Sequence, residues 1–204
     1  MFKLNSNCLA IIQTINVNNN KVNNLKKILL FSLLITSLYS DAKVYMGVGA
    51  GYMHETFSDS AGTTNTAEMG KLKIGYGVRE AYAIEFSFDY LKNDANVFST
   101  TGKDSDKFGM NIELVKAFDW DIFINPYFKA GFGAGYFDIN HAEQSSLNYG
   151  TFNIGLGFFV PINEYLDVEV GYDYKYVSYE RLTTTSDQVN SHLNGAYVGL
   201  NVRF

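Results

Sequence analysis

Eleven charged residues stand at alternate positions in stretches that otherwise read as apolar or small: Lys71, Lys73, Glu85, Asp89, Lys107, Glu113, Lys129, Glu169, Asp173, Lys175 and Arg203. Five are acids and six are bases, close enough in number to pair. Three kinds of chemistry are open to such a set. Paired and hydrogen-bonded, it would form a buried ionic network. Partly unpaired and wetted, it would line a selective pore. Beside a nucleophile, it would supply an acid or a base. The nucleophile is the weak part. The histidines are His54, His141 and His192, and Ser191 precedes the last of them. Neighbouring side chains of an extended chain point to opposite faces, so Ser191 and His192 cannot simply form a nucleophile–base pair. Asp104 and Asp106 lack the spacing of a calcium loop. Each Gly-x-Gly lies in a strand-like run with no helix after it, so no phosphate loop is expected. Neither a cofactor nor a metal site is implied.

The elements that must position these charges follow from a period of two, which sends alternate side chains to opposite faces of a strand. The last run is the plainest. Val202, Leu200, Val198 and Ala196 share one parity; Arg203, Asn201, Gly199, Tyr197 and Gly195 share the other. Seven earlier runs repeat the pattern. Strand one spans about Lys43 to Phe57, with Val44, Met46, Val48, Ala50 and Tyr52 on one face. Strand two sets Leu72, Ile74, Tyr76 and Val78 against Lys71 and Lys73. Strand three sets Tyr82, Ile84, Phe86, Phe88 and Tyr90 against Glu85 and Asp89. Strand four carries Phe108 to Leu114 opposite Lys107 and Glu113, and strand five Phe128 to Tyr136 opposite Lys129. Strand six runs from Phe152 to Val160, and strand seven from Leu166 to Tyr176, opposite Asp167, Glu169, Asp173 and Lys175. The connections Ser58–Thr66, Lys92–Asp106, Asp138–Leu147 and Glu180–Asn190 are long and polar. Those at Arg79-Glu80, Phe118–Asn125 and Pro161–Glu164 are short.

Composition agrees. With 15 Tyr, 16 Phe and 18 Gly against 2 Pro, the chain favours half-buried strands over helices. A mean hydropathy of -0.08 fits neither a helical membrane protein nor a disordered chain, whereas a membrane barrel averages out in this way because lipid-facing and small or polar residues alternate. Lys26-Lys27, the apolar stretch Ile28–Leu38 and the small-residue site ending at Ala42 read as a secretory leader cleaved after Ala42. An uncleaved anchor would want about 20 apolar residues. Residues 1–24, polar and Asn-rich, read as an over-extended start, with the true start within residues 1–25. The domains expected are thus 1–42, a leader with its extension, and 43–204, a single barrel domain. The net charge is -5 overall; residues 1–42 hold Lys3, Lys21, Lys26 and Lys27 against Asp41, a net of +3, which leaves -8 for residues 43–204. An acidic domain without a basic cluster excludes nucleic acid as an expected partner. The one cysteine, Cys8, falls in the leader, so no disulfide is expected in residues 43–204.

A soluble barrel with the bulky face inward is the competing architecture. Against it, the other face is mostly glycine with a few charges per strand, too poor in charge for a water-facing surface. Aromatics also gather at both strand ends, Tyr52, Tyr90, Tyr136 and Tyr176 at one and Phe118, Trp120, Phe158 and Phe204 at the other, as interfacial girdles do. The expected fold is all-β: an eight-stranded antiparallel transmembrane up-and-down β-barrel with short periplasmic turns and four longer extracellular loops.

Residues 43–204 resemble the small eight-stranded outer-membrane barrels of the OmpA/OmpX and opacity-protein type. The likeness rests on Val48-Gly49-Ala50-Gly51-Tyr52, Ile74-Gly75-Tyr76-Gly77, the run Pro126–Tyr136 and the ending in Phe204. It implies an outer-membrane location, contact with outer-membrane lipid and lipopolysaccharide, and a C-terminal strand read by the insertion machinery, with Phe204 as the assembly signal. Some members of that family carry a peptidoglycan-binding domain after the barrel; none is expected here, because the chain stops at the last strand. Some enzymes on this scaffold modify lipid A, but the His-x-Ser spacing of the deacylases is missing at His192-Leu193-Asn194. Three functions remain open, in this order: a structural or surface-interaction role through loops that meet a host or surface ligand, in adhesion or envelope integrity; a narrow porin for ions or small solutes; and a lipid A-modifying enzyme. An eight-stranded interior is just wide enough for side chains. The lumen charges Lys71, Lys73, Glu85, Glu113, Lys129, Glu169, Asp173, Lys175 and Arg203 are therefore expected to plug it.

Overall fold

The computed structural model describes residues 42–58, 64–78, 80–141, 144–182 and 188–204. The leader, with Cys8, lies outside the described residues, as do Arg79 and the tips of three loops. Eight antiparallel strands follow in order: β1 (Lys43–Phe57), β2 (Thr64–Gly77), β3 (Tyr82–Leu91), β4 (Lys107–Ala117), β5 (Asn125–His141), β6 (Gln144–Pro161), β7 (Leu166–Tyr179) and β8 (Asn190–Arg203). Each pairs with its neighbours, and β1 pairs with β8 from Tyr45↔Arg203 to Phe57↔Ser191, which closes the barrel and leaves no edge.

The face that meets solvent is the bulky one. Val48 is 56% exposed, Met110 60% and Leu156 60%, whereas Lys129 is 1% exposed and Glu113 2%. That inversion is stable only if the outside is lipid, so the soluble-barrel alternative fails. Closure also satisfies every ladder without an aqueous edge, as a bilayer demands.

The two shortest strands, β3 and β4, have 10 and 11 residues, about what a tilted crossing takes. β5 and β6 have 17 and 18 and continue to His141 and Gln144. The connection expected over Asp138–Leu147 is thus mostly a paired hairpin, and strand two likewise begins earlier than expected, at Thr64. At the other end, Asp121 adopts a φ of 55° in the β4–β5 turn, and the Asp119 carboxylate accepts its N–H at 3.0 Å. A short Asx-type bond of this kind favours the left-handed conformation. The turn presents Trp120 and Phe123 outward, 61% and 79% exposed, and Phe204 at the end of β8 is 68% exposed.

Candidate functional site

Glycine on the inward face makes the lumen possible. A Cβ at Gly171 would lie 2.5 Å from the Tyr127 hydroxyl and 2.5 Å from Tyr197 Cζ. With no side chain there, two tyrosines cross the barrel and reach one carboxylate. Tyr127 and Tyr197 both donate to Glu169, at 2.8 and 2.7 Å; Asn201 donates to it at 3.0 Å, and Lys73 is ion-paired to it. Lys73 also meets Glu85 at 2.8 Å, and Glu85 accepts from Tyr45 at 3.0 Å. Below this knot Arg203 pairs with Asp167 at 2.6 Å, its guanidinium 4.7 Å from the Tyr45 ring centre. The periplasmic floor is apolar: Tyr45, Ala83, Val115, Ala117, Tyr127 and Phe159.

Above the knot, Asp173 lies between Lys71 at 2.7 Å and Lys129 at 3.1 Å, and Lys129 reaches Glu113 at 3.4 Å. Lys175 pairs with Asp89, which also accepts from Asn111 at 2.8 Å. Nearest the mouth, Glu55 accepts from Lys107 at 2.6 Å, Ser191 at 2.7 Å and Tyr179 at 2.5 Å. All nine lumen charges singled out in the sequence are buried inside the barrel, as are Asp89 and Lys107. Two further carboxylates belong with them, Glu55 and Asp167. Both keep the inward parity of their strands, so alternation alone carried the signal: Glu55 extends the series Tyr45, Gly47, Gly49, Gly51, and Asp167 precedes Glu169 by two. The set then holds seven acids and six bases. Two cavities among these side chains measure about 10 Å³ each, room for at most one water apiece.

The β3–β4 connection was expected to be a flexible polar loop. It is instead folded into the mouth, because it carries one large apolar side chain that finds a seat. Phe98 is 4% exposed, with its ring centre 4.9 Å from Tyr179, 5.5 Å from Phe137 and 6.2 Å from Phe57. Asp104 fastens the bend. Its carboxylate accepts the backbone N–H groups of Val97, Phe98 and Ser99 at 2.9, 3.1 and 2.8 Å. Thr100 and Ser105 then bond to the β5 backbone at Asn140 and Asp138, both at 3.0 Å. Asp104 is thus an internal clamp and not a loose loop acid.

The histidines take no part in this interior. His54 meets Thr66 at 3.2 Å and His192 meets the Tyr174 hydroxyl at 2.6 Å, both on the outer face, while Ser191 points inward to Glu55. Among the described residues Ser191 bonds to Glu55 and Tyr179, not to a histidine. No group of three or more potential metal ligands occurs among the described residues.

An apolar exterior, aromatic rims and an ion-paired interior within eight closed strands define a small integral membrane barrel. The particular family follows: a model of the outer membrane protein beta-barrel domain matches residues 28–204, and the chain belongs to that family. No curated protein matches it in sequence. Among solved structures it is similar to Neisserial surface protein A, at 17% identity and a TM-score of 0.61, over 81% of this chain and 100% of that one. It is also similar to the N-terminal β-barrel domain of Pseudomonas aeruginosa OprF, at 16% identity and a TM-score of 0.47, over 78% and 97%. A third is Ail, the attachment invasion locus protein of Yersinia pestis, in complex with the heparin analogue sucrose octasulfate, at 15% identity and a TM-score of 0.49, over 79% and 99%.

Proposed function

We propose that this protein is a closed outer-membrane anchor that presents surface loops, and that its work is adhesion or envelope integrity through those loops. One observation carries the reading. The lumen is filled from floor to mouth by paired side chains and stoppered by Phe98, which leaves the loops and the outer wall as the surfaces that can meet a partner. Loops on a rigid scaffold are where binding concentrates. Their Ser, Thr, Asn and acidic residues suit a polyhydroxyl or neutral polar ligand more than a polyanion. The separation of Ser191 from every histidine supports a non-catalytic role. Arrival in the outer membrane would rest on cleavage of the leader after Ala42 and on reading of the last strand. There the Phe204 N–H bonds to Val44 O at 2.9 Å while its ring is left outward.

Cells displaying the barrel on their surface, tested on an array of immobilised glycans and matrix proteins, should bind one class of ligand. A version with residues 59–63 and 183–187 replaced by Gly-Ser should lose that binding. Equal binding by both versions, or none by either, would contradict the loop reading.

A further inference from the structure

The lumen charges do not cancel, and the surplus is localised. Three pairs stand one to one: Arg203 with Asp167, Lys175 with Asp89 and Lys107 with Glu55. What is left is a middle tier of four carboxylates and three ammonium groups. Lys71 meets Asp173, Lys73 is shared by Glu85 and Glu169, and Lys129 is shared by Glu113 and Asp173. The tier therefore carries one more negative charge than its bases supply, inside the barrel. An uncompensated charge is far more costly there than in water.

The surplus falls at one place in the register. Glu85 of β3 is the direct cross-strand partner of Glu113 of β4. The next residues along the same row are Gly75 of β2 and Gly131 of β5, so two acids stand side by side with no base across these four strands. Like charges directly opposite one another on a sheet repel. Lysines reach them only from neighbouring rows, Lys73 at 2.8 Å from Glu85 and Lys129 at 3.4 Å from Glu113. Glu85 also has an oxygen to spare. Tyr45 and Lys73 both donate to its Oε2, at 3.0 and 2.8 Å, and its buried Oε1 has no hydrogen-bond partner.

We propose that Glu85 and Glu113 hold a single alkali-metal cation of the size of sodium between their carboxylates. The charge selects a monovalent ion: one positive charge balances the tier, and two would overshoot it. The ligand set agrees. A calcium ion takes about 6–8 oxygen ligands, and no group of three or more His, Cys, Asp or Glu gathers as a metal site among the described residues. Directly opposed side chains on a sheet stand about 5 Å apart at Cβ, close enough for one small ion to touch both carboxylates. The ion is a structural counter-charge and does not depend on what the loops bind.

The test is urea titration of the folded protein in lipid vesicles, with sodium chloride exchanged for tetramethylammonium chloride at fixed ionic strength. Tetramethylammonium screens surface charge as sodium does but is too large to enter between two packed side chains. The wild-type midpoint should be higher in sodium. Once sodium exceeds its dissociation constant, the folding equilibrium should rise about tenfold for each tenfold rise in sodium, the slope of one bound ion. E113Q removes the surplus charge at nearly constant shape, so its midpoint should not distinguish the two salts. E68Q, which alters an exposed acid of the outer wall, should keep the wild-type dependence. A wild-type midpoint that is the same in both salts would overturn the assignment, and that comparison stands even where E113Q fails to fold. An equal sodium dependence in the wild-type protein and E113Q would overturn it too, by placing the ion elsewhere.

Discussion

Glu169 and Glu113 are both buried lumen carboxylates, yet their surroundings differ sharply. Glu169 accepts from two tyrosines and an asparagine and is ion-paired to Lys73, whereas Glu113 has Lys129 at 3.4 Å. Removing one partner of a buried pair costs about 3–5 kcal/mol because the other charge is left without compensation. Glu169→Ala strands Lys73 against Glu85 alone and unties three donors, so it should reach or exceed that range; Glu113→Ala should fall below it. Lys129→Ala, which strips a cation from Asp173 and Glu113 together, should resemble Glu169→Ala. Urea titration of the barrel in lipid vesicles measures all three. An equal, small effect from each would mean that the lumen charges are solvated and the network is not structural. Glu55 and Asp167 were passed over as lumen charges although both keep the inward parity of their strands; alternation in sequence made the other inward charges legible one by one. Their partners were not legible, because Lys71 meets Asp173 across 102 positions of sequence and only the closure of the barrel decides such a meeting.

Among the elements, the β3–β4 connection departs furthest from expectation. Its residues have no period, so sequence pattern gives it no face, and its polarity suggested mobility. One aromatic and one carboxylate reverse that outcome: Phe98 enters the seat made by Phe57, Phe137 and Tyr179, and Asp104 gathers three backbone N–H groups. A large-to-small change at a seated aromatic costs about 3–5 kcal/mol. Here the loss falls on a segment that can open without unfolding the strands. Phe98→Ala and Asp104→Ala should therefore speed protease cleavage between Phe98 and Lys103 by at least about tenfold while the heat-shift temperature of the barrel barely moves. A fall in that temperature as large as the one from Glu169→Ala would show the loop to be part of the cooperative core. The strand ends tell a related story. β5 and β6 outrun the bilayer because Asp138 pairs with Ser146 and His141 with Gln144, and polar residues in a projecting hairpin look like a loop when only hydrophobic alternation is read.

At the scale of the molecule, two facts of sequence were enough for the architecture: eight alternating runs, and long polar connections alternating with short ones. Each run fixes which face meets lipid, and an even number lets the first strand pair with the last. A plugged interior is already expected from an eight-stranded width just large enough for side chains; which of those side chains pair to fill it is not legible in sequence. The pairing distances, two cavities of about 10 Å³ and the Phe98 stopper support our proposal that it is plugged. The most direct measurement is therefore single-channel current across a planar bilayer holding the folded protein, with folding confirmed by the heat-dependent gel shift. The structure predicts silence, for the wild-type protein and for Phe98→Ala alike, because the ionic tiers below the mouth remain paired. Steady, discrete conductance steps from the wild-type protein would contradict a closed lumen and make this barrel a pore.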